Sequence, residues 1–147
     1  MHSSGVCRSA CSPARRERRS SLNHIQTGRL GEYLAERYLR KVGMRIVARN
    51  VRLKNGELDL ITTDGRQIVF VEVKTRIVSG DSSADRGIDP LLNVSTEKSA
   101  RLHRLSRAYL QIHFGEQHPP YRIDLVAVEL NPRSLEYSTL RHLRGEG

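Results

Sequence analysis

Apolar and polar positions follow two rhythms along this chain. Over residues 23–42, Gly31, Leu34, Ala35, Tyr38, Leu39 and Val42 recur at three- and four-residue spacing, which predicts a helix. Asn23 with Gln26, or Thr27 alone, can supply its N-cap, and Gly43 suits the position after its last turn. Residues 44–53 change to a two-residue rhythm, with Val47, Val51 and Leu53 on one face of a strand. The stretch 56–76, GELDLITTDGRQIVFVEVKTR, reads as two further strands closed by Asp64-Gly65 as a two-residue hairpin turn. Residues 77–95 hold no period and predict a long loop. The helical spacing returns over 96–112, where Leu102, Leu105, Tyr109 and Ile112 form the buried stripe. Residues 121–130 predict a strand with Ile123, Leu125 and Ala127 on one face, and Leu135, Tyr137 and Thr139 can add an edge strand. The order is α-β-β-β-α-β, an α/β fold with a central sheet flanked by helices.

The hairpin departs from this patterning in one respect. Glu57, Asp59, Glu72 and Lys74 sit inside runs apolar on both faces, where unpaired charge is costly. With a two-residue turn, Glu57 lies opposite Glu72 and Asp59 opposite Phe70. All four ionisable groups then project from one face at the end away from the turn, and a four-residue loop preserves this while a three-residue loop breaks it. Two carboxylates about 5 Å apart repel by roughly 3 kcal/mol at an effective dielectric of 20. Three carboxylates and one ammonium leave an excess of negative charge that one divalent cation would neutralise, and hard oxygen donors suit Mg²⁺. Protonation of one carboxyl group, or pairing with Arg52 or Arg76, are the alternatives, and a structural Glu–Lys cross-strand network is the bland one.

Charge outside the hairpin adds a partner. The 147-residue chain, enough for one ordinary domain, has a net charge of +9, which favours a polyanion such as nucleic acid. Part of that charge lies in residues 1–22, a Ser- and Arg-rich segment read as a disordered basic tail ahead of a domain over 23–147. Lys98, Arg101, Arg104 and Arg107 on the second helix suit a phosphate backbone or an ordinary solvated face. The two cysteines, Cys7 and Cys11, both fall in the tail, so the body has no disulfide framework and a reducing cytoplasm fits. No apolar run reaches the length of a membrane span, and the histidines lack zinc-ligand spacing.

Asp59 followed on the next strand by Glu72-Val73-Lys74 resembles the PD-(D/E)xK superfamily of restriction-endonuclease-like nucleases. The wider set GRLGEYLAERYL, ARN at 48–50, GELDLI, VFVEVKTR, Lys98 with its helix, and RIDLVAV resembles, in order, the YraN family of small bacterial proteins over about residues 26–130. The resemblance implies a restriction-endonuclease-like core with a mixed central sheet, in which Asp59 and Glu72 ligate Mg²⁺, or Mn²⁺ in its place, with the Val73 carbonyl. It further implies that Lys74 orients or helps deprotonate the attacking water, and that Glu32 is a helix carboxylate near the metal. Glu57 would bind metal through water. Arg76, Lys98, Arg101 and Arg104 are expected at the nucleic acid, DNA before RNA and branched or structured DNA by analogy. A homodimer is open. The expected activity is phosphodiester hydrolysis; the other reading is a binding module of the same fold that cuts little or nothing.

Overall fold

A computed structural model describes residues 23–78, 95–131, 134 and 136–145. The basic tail and most of the predicted long loop lie outside the described residues. The elements are α1 (His24–Lys41), β1 (Arg45–Leu53), β2 (Gly56–Thr63), β3 (Ile68–Ile77), α2 (Thr96–Phe114), β4 (Tyr121–Leu130) and β5 (Tyr137–Leu143). The strands form one sheet in the order β1-β2-β3-β4-β5, antiparallel except for the parallel β3–β4 pair. A parallel pair needs a crossover, and α2 occupies it.

α1 starts where its sequence says. Asn23 Oδ1 accepts the Gln26 N–H at 2.8 Å while Gln26 Oε1 accepts the Asn23 N–H at 3.0 Å, a reciprocal capping box. The helix ends at Lys41 and the chain turns away through Gly43, whose φ of +87° is open to glycine at little steric cost. Its inner face buries Gly31, Ala35 and Leu39, and Val42 is exposed rather than part of the stripe. Together with Leu60, Val69, Val71, Val126, Val128 and Leu130 this face makes one core layer. Gly31 allows the closest approach: a Cβ there would stand 1.7 Å from Thr75 Oγ1 on β3.

α2 covers the opposite face through Leu102, Leu105, Tyr109 and Leu110, packed on Leu58, Ile61, Ile68 and Phe70. Ile112, expected in that stripe, is 67% exposed. The helix runs further than expected, to Phe114, and buries Leu110, so its inward face follows 102, 105, 106, 109 and 110. The central strands are thus covered on both faces, as their two-sided apolar pattern predicts.

Two local expectations change. The β2–β3 loop has four residues, since Thr63 pairs with Ile68 and Ile61 with Phe70. Asp64 is the cause: its Oδ1 accepts the N–H groups of Arg66 and Gln67 at 3.0 and 3.2 Å, holding a wider loop than a two-residue turn. β1 does not alternate as expected, because its register shifts between Ile46 and Ala48 and leaves Val47 exposed. Asn50, with φ +46°, is a second irregularity in β1. In β4, Val126, Val128 and Leu130 go to the α1 side and Ile123 to the α2 side, in keeping with the expected alternation.

Candidate functional site

The site begins where a ladder stops. β2 and β3 are paired from Thr63/Ile68 to Leu60/Val71 and no further, although β3 continues to Ile77 alongside β4. The next residue of β2 is Asp59. Its Oδ2 accepts the Val73 N–H at 2.8 Å, a donor that a continued ladder would give to main-chain carbonyl oxygen. Asn50 on β1 sits level with Asp59, between the Arg49/Leu60 and Val51/Leu58 pairs. Across this point β2 swivels: Leu60 packs in the α1-side core, yet Leu58 packs in the α2-side core with Ile61 and Phe70.

Extending the observed register by one pair sets Asp59 level with Glu72, where a two-residue turn would have set Phe70. Glu72 is buried and forms an ion pair with Lys98 in the first turn of α2. Asp59 has no such ion pair among the described residues. Burial first, then the charge of Glu72 and more weakly that of Glu32, push its carboxyl up to about 7, against the Val73 hydrogen bond and the Lys98 charge. Lys74 is half-buried, and its ammonium is depressed by burial first and then by Lys98, against the pull of Glu72. Asp59, Glu72, Lys74 and Lys98 therefore form one electrostatic neighbourhood, and Glu32 reaches the same field from α1.

Three other expected members have partners of their own. Glu57 meets Arg52 across the β1–β2 pair at 3.5 Å and does not figure among the charges acting on Asp59. The swivel at Asp59 breaks the alternation that would have carried Glu57 to the cluster. Glu32 Oε2 accepts a hydrogen bond from Asn50 Nδ2 at 2.7 Å, which ties α1 to the irregular point of β1. Arg76, a candidate for phosphate, bonds Glu129 directly across the β3–β4 register, with Nε 2.9 Å from Oε1. Val73 contributes its N–H to Asp59. Among the described residues no group of three His, Cys, Asp or Glu side chains is ready-made around a metal ion.

Arg101 and Arg104 are exposed on α2, one and two turns on from Lys98. With Lys54 and Asn55 of the β1–β2 turn they rim a groove of about 230 Å³ floored by Leu53, Leu105 and Ala108. Gly56 admits this helix: a Cβ there would stand 3.0 Å from Leu105 and 3.8 Å from Arg101 Nε. Lys54 and Asn55 read in the sequence only as a turn; their place beside the α2 cations needs the helix packed against it.

A second ionic cluster lies outside what the sequence predicts. Asp124 on β4 is fully buried and accepts from Arg122 Nε at 2.9 Å, from His142 Nε2 at 2.8 Å and from the Gly145 N–H at 3.1 Å. Burial would raise its carboxyl, but the bonds from His142, Arg122 and Gly145 hold it below the ordinary value. Arg122 also reaches Asp64 in the β2–β3 loop at 3.0 Å. An acidic residue within the apolar run RIDLVAV is the same signal that singles out Asp59, and it could have found Asp124.

A mixed five-stranded sheet between two helices, with α2 as the crossover of its parallel pair, is a restriction-endonuclease-like α/β fold. The chain belongs to the uncharacterised protein family UPF0102, the YraN family, whose model matches residues 31–128. It is 44% identical over 107 residues to a UPF0102 protein of Symbiobacterium thermophilum, covering 73% of this chain and 85% of that relative. A UPF0102 protein of Paenarthrobacter aurescens is 44% identical over 118 residues, 80% of this chain and 90% of the relative. One of Mycolicibacterium vanbaalenii is 38% identical over 123 residues, covering 84% and 94%. The matched span contains Glu32, Asp59, Glu72, Lys74 and Lys98. No helix among the described residues is long and apolar enough to cross a membrane.

Proposed function

We propose that this protein is a Mg²⁺-dependent nuclease that hydrolyses phosphodiester bonds of DNA, with branched or otherwise structured DNA as the substrate class. The observation that carries the reading is Asp59. A carboxylate stands at the open end of the β2–β3 pair, level with Glu72, and burial and like charge push it up to about 7. Such a group gains from a cation more than an ordinary carboxylate does.

The donor chemistry fits a hard divalent ion. Asp59 and Glu72 would hold Mg²⁺ or Mn²⁺ with the Val73 carbonyl, while the further carboxylates, Glu32 and Glu57, contact Asn50 and Arg52 in this structure. A divalent ion held there would supply Lewis acidity, activating water at neutral pH and offsetting negative charge that develops on the phosphate oxygens. Lys74, at the edge of the cluster, orients the attacking water and carries positive charge to a phosphate oxygen. Arg101 and Arg104, with Lys98, meet the flanking phosphates. Arg76 can join them by leaving Glu129 or through the guanidinium N–H groups that this carboxylate does not use.

A second reading has its own support. The acidic side chains among the described residues are not drawn into a three-ligand group, and Lys98 already neutralises Glu72. Both features suit a nucleic-acid-binding module that cuts weakly or not at all. A cytoplasmic site of action and a homodimer are compatible with either.

One panel decides between them. Plasmid, linear duplex and four-way-junction DNA are incubated with the protein in Mg²⁺, Mn²⁺ or EDTA. Nuclease action predicts metal-dependent cutting that Asp59→Ala and Lys74→Ala each reduce by at least about a hundredfold. Cutting that survives both substitutions unchanged would remove the site. Salt-sensitive binding without cutting gives the second reading.

A further inference from the structure

Lys98 is a cation in an unfavourable place. It lies in the first turn of α2, three residues after the cap Ser95, whose Oγ accepts the Lys98 N–H at 3.2 Å. The helix dipole presents partial positive charge at that end and disfavours an ammonium. Lys74 is close enough for the two ammonium charges to act on one another. What holds Lys98 inward is Glu72, whose side chain is 9% exposed and would otherwise be a buried acid facing Asp59. Lys98 itself keeps 35% of its side chain exposed, so it has a route outward. The groove that Arg101 and Arg104 rim begins one turn further along the same helix.

We propose that Lys98 is the resident counterion of the acidic pair and exchanges with the divalent cation. Its ammonium neutralises Glu72 while the site is empty of metal, leaves when a divalent ion takes that carboxylate, and is then available to a phosphate of the bound strand. This rests on the reading of Asp59 and Glu72 as metal ligands. It makes Lys98 a positioning residue that offsets the repulsion between the acids in the resting protein. It also explains why the two carboxylates stand beside one another without a third ligand converging on them among the described residues.

The test reads metal affinity without turnover. Mn²⁺ binding is followed by the electron paramagnetic resonance of free Mn²⁺, with no nucleic acid present, for wild type, Lys98→Met, Arg101→Met and Glu72→Gln. Loss of a competing ion pair predicts that Lys98→Met binds Mn²⁺ roughly threefold to tenfold more tightly. Arg101→Met removes the same charge one turn away and should change affinity by less than about twofold. Equal tightening in both variants would reduce the effect to overall charge and overturn the exchange. Unchanged or weaker binding in Lys98→Met, with wild type still binding and Glu72→Gln not, would overturn it too while leaving the metal site intact. Wild type that binds no better than Glu72→Gln would remove the metal site and the exchange together. Should Lys98→Met not fold, the ¹³Cε resonance of Lys98 in wild type decides the question instead: Mg²⁺ should shift it saturably, and no shift at saturation overturns the exchange.

Discussion

Asp59 and Asp124 are aspartates in one sheet, both set among apolar residues, and their surroundings treat them in opposite ways. Asp124 is enclosed and satisfied: Arg122, His142 and the Gly145 N–H converge on it, and its carboxyl lies below the ordinary value. Asp59 takes one backbone N–H, faces Glu72, feels Glu32, and is pushed up to about 7. Burial alone therefore does not separate a structural acid from a site acid. The separation lies in whether the fold itself supplies the counter-charge. Around Asp124 it does, from two strands and the chain beyond β5. Around Asp59 the ladder ends, and Lys98, the cation that lowers its carboxyl, is committed to Glu72. The remaining demand can be met by a proton or, on the function proposed above, by a divalent ion.

The largest expected effect falls on the satisfied acid. Asp124→Ala leaves Arg122 and His142 without their shared carboxylate and should destabilise the fold by about 3–5 kcal/mol in denaturant melts. A loss below about 1 kcal/mol would mean that Asp124 is not the structural half of the pair. Gly31→Ala comes next. Its methyl would strike Thr75 and push α1 from β3, costing about 1–3 kcal/mol, and it would displace Glu32 from the neighbourhood of Asp59. A neutral Gly31→Ala, measured the same way, would show that α1 does not need its close seat on β3.

The frustrated acid should respond with the opposite sign. Its folded value of about 7 exceeds the ordinary 3.8, so the folded protein binds a proton that the unfolded chain has released between about pH 4 and pH 7. That contribution is fully present below pH 4, declines as pH rises through 7, and is gone above it. Asp59→Asn keeps an acceptor for the Val73 N–H and removes the charge. It should stabilise the metal-free protein by about 1–2 kcal/mol at pH 8 once solvent screening is allowed for, and by roughly 40% of that at pH 5. In melting curves this is a rise of roughly 3–6 °C at pH 8 and a smaller one at pH 5. A loss of stability at pH 8 would place Asp59 with Asp124. The smallest effect belongs to Glu57→Gln. Its contact with Arg52 is exposed, so stability should change by less than about 0.5 kcal/mol, and Mn²⁺ affinity should stay within a factor of two.

Much of this contrast is written in the sequence, though unevenly. The capping box of Asn23 and Gln26, the two-sided apolar strands and the α-β-β-β-α-β order all follow from local pattern, and the structure reproduces them. Asp59, Glu72 and Lys74 are legible because charge inside doubly covered strands is costly. Their neighbours are less so. Asp64 looks like half of a tight Asp-Gly turn, yet its side chain binds two backbone N–H groups and widens the loop, a competition that residue type alone does not resolve. Strict alternation would put Glu57 on the face of Asp59, but β2 swivels beside Asn50 and breaks that alternation. Lys98 reads in the sequence as a phosphate contact. Its bond to Glu72 depends on where the crossover sets the start of α2, which no local spacing encodes.

The measurement closest to the central claim is the titration of Asp59 itself, by ¹³C resonance of its side-chain carboxyl group, without and with saturating Mg²⁺. An acid left short of counter-charge titrates near 7 in the metal-free protein, and its midpoint falls by more than about one pH unit when Mg²⁺ is present. A midpoint near the ordinary 3.8 that Mg²⁺ does not move would contradict the account.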